Sequence, residues 1–373
     1  MWVTSSPDTA LKPTAVALGN FDGVHRGHQQ VVKPILKVSD APAVPTLPPS
    51  SLERRLKYRW QSQSEDSERS PETKILSSDE HPIATVVTFN PHPQEFFTGQ
   101  RRGLLTPRPE KVRQLEALGV EQLVLLPFDR ELAALSPQQF VEKILVRQLR
   151  AQSVSVGEDF RFGCQRAGTA ADLKAIAHSY GIHVTLVPLQ TCEGERISSS
   201  VIRQALQEGD LQQANRLLGR PYTLTGLVVK GQQLGRTIGF PTANLQLPSE
   251  KFLPRQGVYC VRVYSETEDD SEATEQTETG TGEAKVAADC GSLPMEGIGV
   301  MNIGYRPTVD GTTPTVEVHL LGWVGDLYGK TLTVSLEQFL RSEQKFASLD
   351  ALKTQIQADC EAARAFLGLR AEG

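Results

Sequence analysis

Two hydrophobic periods divide the chain. Up to Gly219, short unbroken apolar runs alternate with segments whose apolar residues recur every three or four positions. The runs at 14–18, 83–89, 122–126, 153–156 and 182–188 predict buried strands, and the periodic segments between them predict helices. One helix carries Val31, Val32, Ile35 and Leu36; others cover 109–118, run from Ser136-Pro137 to about Leu149, begin near Gly168, and occupy 210–218. Ser136 serves as cap and Pro137 as first-turn residue. Strands alternating with helices predict a doubly wound parallel sheet. Beyond Gly219 the residues 222–229 alternate polar with apolar, the mark of an antiparallel strand with one wet face. Further strands are expected at 257–263, 316–320 and 331–336, with 302–308 read as a strand end and turn. The fold class is therefore α/β plus β, divided at 1–219 and 220–373.

Two stretches break this order. Residues 39–82 begin proline-rich, pass through a basic segment with Leu52, Leu56 and Trp60 at helical spacing, and end in a polar tract. Residues 265–297 are rich in Glu, Asp, Thr and Gly and have no apolar period. Both read as disordered insertions, the first in the sheet half and the second extending a hairpin of the β half.

Length and charge narrow the picture. At 373 residues the chain can bury two cores. A formal net charge of -5 gives no electrostatic reason to expect nucleic acid. The 5 cysteines form no C-x-x-C pair, which argues against a disulfide framework or zinc site and suits a reducing compartment. With no secretory signal pattern and no apolar run of membrane-spanning length, a soluble, cytoplasmic protein is expected.

The first chemical signal follows the strand at 14–18. The stretch Gly19-Asn20-Phe21-Asp22-Gly23-Val24-His25-Arg26-Gly27-His28 is a glycine turn leading into a helix. Unpaired N–H groups and the helix dipole make such a turn an anion site. His25 and His28 stand three apart and can face one ligand, donating hydrogen bonds to phosphate oxygens; Gly27 between them keeps a side chain out of the space a phosphate would need. His92, within Pro91-His92-Pro93 after the strand at 83–89, comes beside this motif if ligands gather at the carboxyl ends of the strands. Asp159, Phe160 and Phe162 follow the strand at 153–156: the two rings can sandwich a planar group, or one of them belongs to the core. Ser198, Ser199 and Ser200 step into another helix, with Arg203 one turn in and positioned for a phosphate.

The pattern G-x-F-D-G-x-H-x-G-H resembles the signature of the nucleotidyltransferase superfamily. Together with T-F-x-P-H-P, G-x-D-F-x-F-G and I-S-S-S-x-I-R in this order, it resembles the FAD synthetase module of prokaryotic riboflavin kinase/FAD synthetases. Asn90 and Ser200 stand where an acidic residue and a threonine are usual. The resemblance implies ATP binding by Gly19, Phe21, Gly23, Gly27, Ser198 and Ser199, catalysis by His25, His28 and Arg203, and flavin contacts from His92, Asp159, Phe160 and Phe162.

In the second half, Gly231, Gly235 and Gly239 allow a mobile flap to approach phosphates, and Thr242 and Asn244 offer oxygens to a hard cation such as Mg²⁺. The absence of G-K-[ST] excludes a Walker loop. Gly235-Arg236-Thr237-Ile238-Gly239-Phe240-Pro241-Thr242-Ala243-Asn244 resembles the riboflavin kinase signature, which implies a six-stranded β-barrel, ATP binding by these glycines and Arg236, Mg²⁺ on Thr242 and Asn244, and Glu317 as general base. The segment 339–346 matches F-L-R-x-E-x-K-F and is read as the C-terminal helix, with Arg341 bordering the flavin. Taken whole, the resemblance implies a bifunctional enzyme: riboflavin and ATP give FMN in the second half, and FMN and a second ATP give FAD and pyrophosphate in the first. The rival readings are a nucleotidyltransferase for another phosphorylated acceptor, which leaves the barrel without a job, and a flavin-binding sensor.

Overall fold

The computed structural model describes residues 1–36, 81–231, 234–265, 296–308 and 311–368. Apart from their edges, the insertions expected at 39–82 and 265–297 lie outside the described residues.

The sheet half contains β1 (Trp2–Thr4), β2 (Thr14–Leu18), β3 (Ile83–Asn90), β4 (Gln122–Pro127), β5 (Ala151–Gly157) and β6 (His183–Val187), in the spatial order β1-β4-β3-β2-β5-β6 with every pair parallel. All five residues of β2 are buried, as an apolar run without alternation requires when helices cover both faces. The chain steps from β2 to β3 and β4 on one side, then crosses to β5 on the other. The switch point, where doubly wound sheets bind ligands, thus falls at the carboxyl end of β2.

Three helices of this half matter for the site: α1 (Arg26–Val32), α2 (Pro93–Thr98) and α3 (Arg108–Ala117). A fourth stretch, expected at 136–149, is capped by Ser136 and runs through Pro137–Phe140 and Val141–Gln148. Then come α4 (Ala170–His178), α5 (Ser199–Glu208) and α6 (Leu211–Leu218). Ser198 caps α5 and Asp210 caps α6; Gly209 and Gly219 end them at φ +85 and +79, a left-handed conformation that favours glycine.

The second half is a closed antiparallel barrel. Its strands are β7 (Tyr222–Val229), β8 (Ala243–Gln246), β9 (Gly257–Ser265), β10 (Glu296–Thr308), β11 (Gly311–Leu320) and β12 (Thr331–Arg341), ordered β7-β8-β11-β10-β9-β12. Alternate residues fill it: Leu224, Val261, Met301, Ile303, Val318, Val334 and Leu336 are fully buried. A final helix, α7 (Leu349–Phe366), starts at the Ser348 cap and packs on Val258 and Cys260 of β9.

This corrects one expectation. Phe339, Leu340 and Arg341 belong to strand β12, and the helix begins only at Leu349. The strand pairs with β9 as far as Val258↔Arg341, so the matched segment ends a barrel strand rather than forming the helix. Among the described residues, no helix is long and apolar enough to cross a membrane.

Truncating Leu336→Ala, whose side chain is wholly enclosed in the barrel, should cost about 2–5 kcal/mol through lost burial and the cavity left behind. Chemical denaturation compared with the parent chain will measure it.

Candidate active sites

A cavity of about 790 Å³ opens at the carboxyl end of the parallel sheet. Leu18 and Gly19 after β2, Phe89 of β3, Phe128 beyond β4, Gly157 of β5 and Val187 of β6 all contribute to its wall. His25, His28, His92, Asp159, Phe160, Ser198 and Ser199 face it as well, so motifs far apart in sequence meet in one place.

The loop from β2 into α1 is strained and heavily braced. Phe21 and Val24 have φ of +47 and +40, conformations that cost a non-glycine residue about 1–3 kcal/mol each. Asp22 holds the loop. Its Oδ1 accepts from the Leu105 N–H at 2.8 Å and the Thr106 N–H at 3.3 Å, while Oδ2 pairs with the Arg203 guanidinium. Its carbonyl accepts from Ser199 Oγ at 2.7 Å. Thr106 Oγ1 accepts from the Gly23 N–H at 2.9 Å, and the Asn20 carbonyl accepts from Thr88 Oγ1 at 2.9 Å and Lys111 Nζ at 3.0 Å.

His25 caps α1, its Nδ1 accepting the His28 N–H at 3.2 Å. That assignment puts its proton on Nε2. The two imidazoles stack at 3.6 Å between centroids, 13° from parallel. Burial lowers the His25 pKa to about 4, against smaller opposing effects from Asp22 and a backbone hydrogen bond. Burial, then His25 and Lys111, push His28 well below its ordinary value. Both rings are therefore neutral at neutral pH, each with one N–H to donate. His28 Nδ1 is buried and has no hydrogen-bond partner among the described residues.

Gly27 has a nearer reason to be glycine than space for a phosphate. A Cβ there would meet His25 Cε1 and Nδ1 at 3.2 Å, so the bare backbone lets the capping ring lie flat. Gly19 is similar, since its Cβ would press on the Phe21 ring at 3.3 Å. Gly23 has φ +91.

His92 caps α2, its Nδ1 accepting the Gln94 N–H at 3.1 Å, and burial lowers its pKa. Asp159 forms an exposed ion pair with Arg196. Phe160 and Phe162 stack on each other with centroids 5.9 Å apart, too close for a third ring to enter between them. Phe162 also packs on Phe140 and is buried, so it joins the core and the expected sandwich does not form. Ser198 Oγ accepts the Val201 N–H at 3.3 Å. Arg203 is absent from the cavity wall: it is held by Asp22, donates to the Gly103 carbonyl at 3.0 Å, and lies over the Phe252 ring.

The sequence reading overlooked several groups at this site. Asp22 stood inside the quoted motif without a role. Arg102 and Phe97, both on the cavity wall, follow α2 or end it and obey no period. Phe128 joins Phe89, Phe96 and Phe97 in an edge-to-face aromatic cluster at the rim.

The barrel holds a second constellation. Asn244 on β8 pairs across the strands with Glu317 on β11, and Thr242 Oγ1 lies 3.4 Å from Glu317 Oε2. The glycines before β8 fold tightly. A Cβ on Gly231 would fall 2.3 Å from the Asn244 amide, and one on Gly235 2.2 Å from the Phe240 carbonyl; Gly239 has φ +90. The Pro241 carbonyl lies 2.8 Å from His319 Nδ1. The Arg236 side chain lies outside the described residues. Arg341 binds Asp359 of α7 through Nε and Nη2, at 2.9 and 2.7 Å, and so clamps that helix to the barrel.

Because His25 stays neutral in the fold down to about pH 4 but titrates near 6.5 once unfolded, the unfolded chain takes up the extra proton between those values. Stability should thus fall by about 3 kcal/mol as pH drops from 6.5 to 4, and be fully present above 6.5. Denaturation midpoints across that range should show a shallower slope for His25→Gln. Removing the charge of Asp22 by Asp22→Asn leaves Arg203 buried without its partner and should cost about 3–5 kcal/mol, read by the same measurement.

Comparison with known proteins covers both halves of the chain. The FAD synthetase family matches residues 8–48 and 72–201, and the riboflavin kinase family matches residues 218–367. The bifunctional riboflavin kinase/FMN adenylyltransferase of Escherichia coli (strain K12) is 37% identical over 355 residues, 95% of this chain and 93% of that protein. Its counterpart in Pseudomonas fluorescens is 38% identical over 349 residues, 93% of this chain and 91% of that protein. A solved structure named a macrolide-efflux protein, from Streptococcus pneumoniae, has a TM-score of 0.72 at 28% identity and covers 97% of this chain and 98% of its own. The chain belongs to the bifunctional riboflavin kinase/FMN adenylyltransferase family.

Proposed function

We infer that this chain makes FAD from riboflavin in two steps, with residues 220–373 phosphorylating riboflavin to FMN and residues 1–219 joining FMN to the AMP of a second ATP. What supports the reading is that one chain holds two separate polar clusters, His25 with His28 at the sheet and Thr242 with Asn244 and Glu317 on the barrel. A single-activity nucleotidyltransferase leaves the second without work.

In the barrel, Glu317 takes the proton from the ribityl hydroxyl as its oxygen attacks the γ-phosphorus of ATP, and the bond to the bridging oxygen breaks to release ADP. Gly231, Gly235, Arg236 and Gly239 close over the phosphates. Thr242 Oγ1 lies 3.4 Å from Glu317 Oε2 and Asn244 is the strand partner of Glu317, and their oxygens are hard donors of the kind Mg²⁺ takes alongside substrate phosphates. Thr242 and Asn244 would hold that ion, which when bound offsets phosphate charge. Arg341 keeps α7 against the barrel beside the flavin.

At the sheet, the FMN phosphate is already a nucleophile and needs no base. It attacks the α-phosphorus of ATP, and the bond to the pyrophosphate oxygen breaks. Neutral His25 and His28 donate hydrogen bonds to the oxygens on which charge develops, Ser198 and Ser199 with the Gly19, Phe21, Gly23 and Gly27 backbone cradle the nucleotide, and the geometry is set before reaction. His92, Asp159 and Phe160 face the flavin, with Phe162 behind as wall. Arg203 was expected to reach the phosphates; bound to Asp22, it positions the loop instead. ATP as donor in both steps fits a cytoplasmic location.

His28→Ala should lower FAD formation about 10²–10³-fold, the usual cost of a lost charge-stabilising donor, while FMN still accumulates. Glu317→Ala should lower FMN formation about 10²–10⁴-fold while added FMN is still converted to FAD. Loss of both activities in either variant contradicts separate sites. Chromatographic assay of each step distinguishes the outcomes.

A further inference from the structure

The two halves meet at several places, among them Arg255 N–H to the Leu206 carbonyl at 2.8 Å and Asn215 Nδ2 to the Leu336 carbonyl at 3.0 Å, and one of the connecting pieces, the chain at 103–106, is bonded on both sides. From the sheet half, Asp22 Oδ1 accepts the N–H of Leu105 at 2.8 Å. From the barrel half, Lys251 Nζ donates to the carbonyl of the same Leu105 at 2.8 Å. The neighbouring peptide joins in. Leu104 donates its N–H to the Glu250 carbonyl at 2.6 Å, and its own carbonyl accepts from Phe252 at 2.9 Å, a parallel bridge between the halves. The Leu105 side chain is fully buried, lies 3.0 Å from where a Gly23 Cβ would be, and belongs to the core that continues into the barrel.

Lys251 is committed to this contact. Its side chain is wholly buried, its Nζ pairs with Glu110 of α3 at 2.6 Å, and it sits over the Tyr222 ring of β7 at 4.4 Å. Burial pulls its pKa down to about 8 against the pull of Glu110, and pushes Glu110 up against the pull of Lys251. Burying a charged pair is weak as a source of stability, since an apolar pair of similar volume often does as well. What an apolar pair cannot do is hold the Leu105 carbonyl. Arg220 reinforces the direction of the contact, donating to the Gly23 carbonyl at 2.9 Å from just before the barrel.

We propose that Lys251, a residue of the barrel half, is a positioning residue of the adenylyltransferase site: through the Leu105 peptide it fixes Asp22, and through Asp22 the strained loop that presents His25 and His28. The barrel thus braces the other half's reaction without touching its substrates. This rests on the two-activity reading above. Kinase activity and conversion of added FMN to FAD are first established in the parent chain, so a failure there overturns that reading and not this one.

The test separates bracing from stability. In the full-length chain, Lys251→Met alone leaves Glu110 without its partner and should lower both the melting temperature and adenylyl transfer. Glu110→Met with Lys251→Met removes both charges and should bring the melting temperature back toward the parent. Adenylyl transfer in that double variant should stay at least tenfold below the parent in kcat, with riboflavin phosphorylation within twofold. Recovery of adenylyl transfer to within twofold in the double variant overturns the proposal, as does an equal fall in both activities. If the methionine pair does not fold, Lys251→Gln decides by the same two assays. Selective loss of adenylyl transfer supports the brace, and equal loss or no loss overturns it.

Discussion

One carboxylate holds the adenylyltransferase half together. Asp22 accepts two backbone N–H groups from the 103–106 segment on one oxygen and the Arg203 guanidinium on the other. Its own carbonyl receives Ser199, which opens helix α5. The loop it belongs to carries two non-glycine residues in left-handed conformations, a state that persists only when the surroundings over-determine it. Together with the bonds of Thr88, Thr106, Lys111 and Arg220 to the same loop, those of Asp22 hold the turn from which His25 caps α1 and stacks on His28.

The electrostatics of the site follow from that packing. Burial keeps both imidazoles neutral, each an oriented N–H donor rather than a cation. In the proposed adenylyl transfer, charge on the phosphates would be met by dipoles fixed in advance, which act strongly where water is excluded and need no rearrangement during reaction. The barrel instead sets Thr242 Oγ1 3.4 Å from the Glu317 carboxylate, and the proposed kinase step needs a base because a hydroxyl has to lose its proton. The two proposed steps thus differ in whether the nucleophile arrives already ionised.

Much of this was legible in the residues. The unbroken apolar runs gave the parallel sheet because strands covered on both faces need no alternation, and the change to alternation after Gly219 gave the barrel. The rule that ligands gather at strand ends places His92 beside the first motif, and both line one cavity. What stayed hidden depends on contacts distant in sequence. Leu105 and Thr106 lie 83 and 84 positions from Asp22, and no local pattern links them. Arg203 at one turn into a serine-capped helix looked free to bind phosphate, yet Asp22 claims it. Phe339 to Arg341 were read as helix by likeness of motif, although Leu332, Val334 and Leu336 just before them are alternating barrel residues and the strand simply continues.

The central claim is that one chain carries riboflavin through FMN to FAD. The most direct measurement is a time course of flavins, separated by chromatography, after the purified chain is mixed with riboflavin, ATP and Mg²⁺. The account predicts FMN rising first and then giving way to FAD with release of pyrophosphate. FMN that accumulates with no FAD would contradict the adenylyltransferase half, and no phosphorylated flavin at all would contradict the account as a whole.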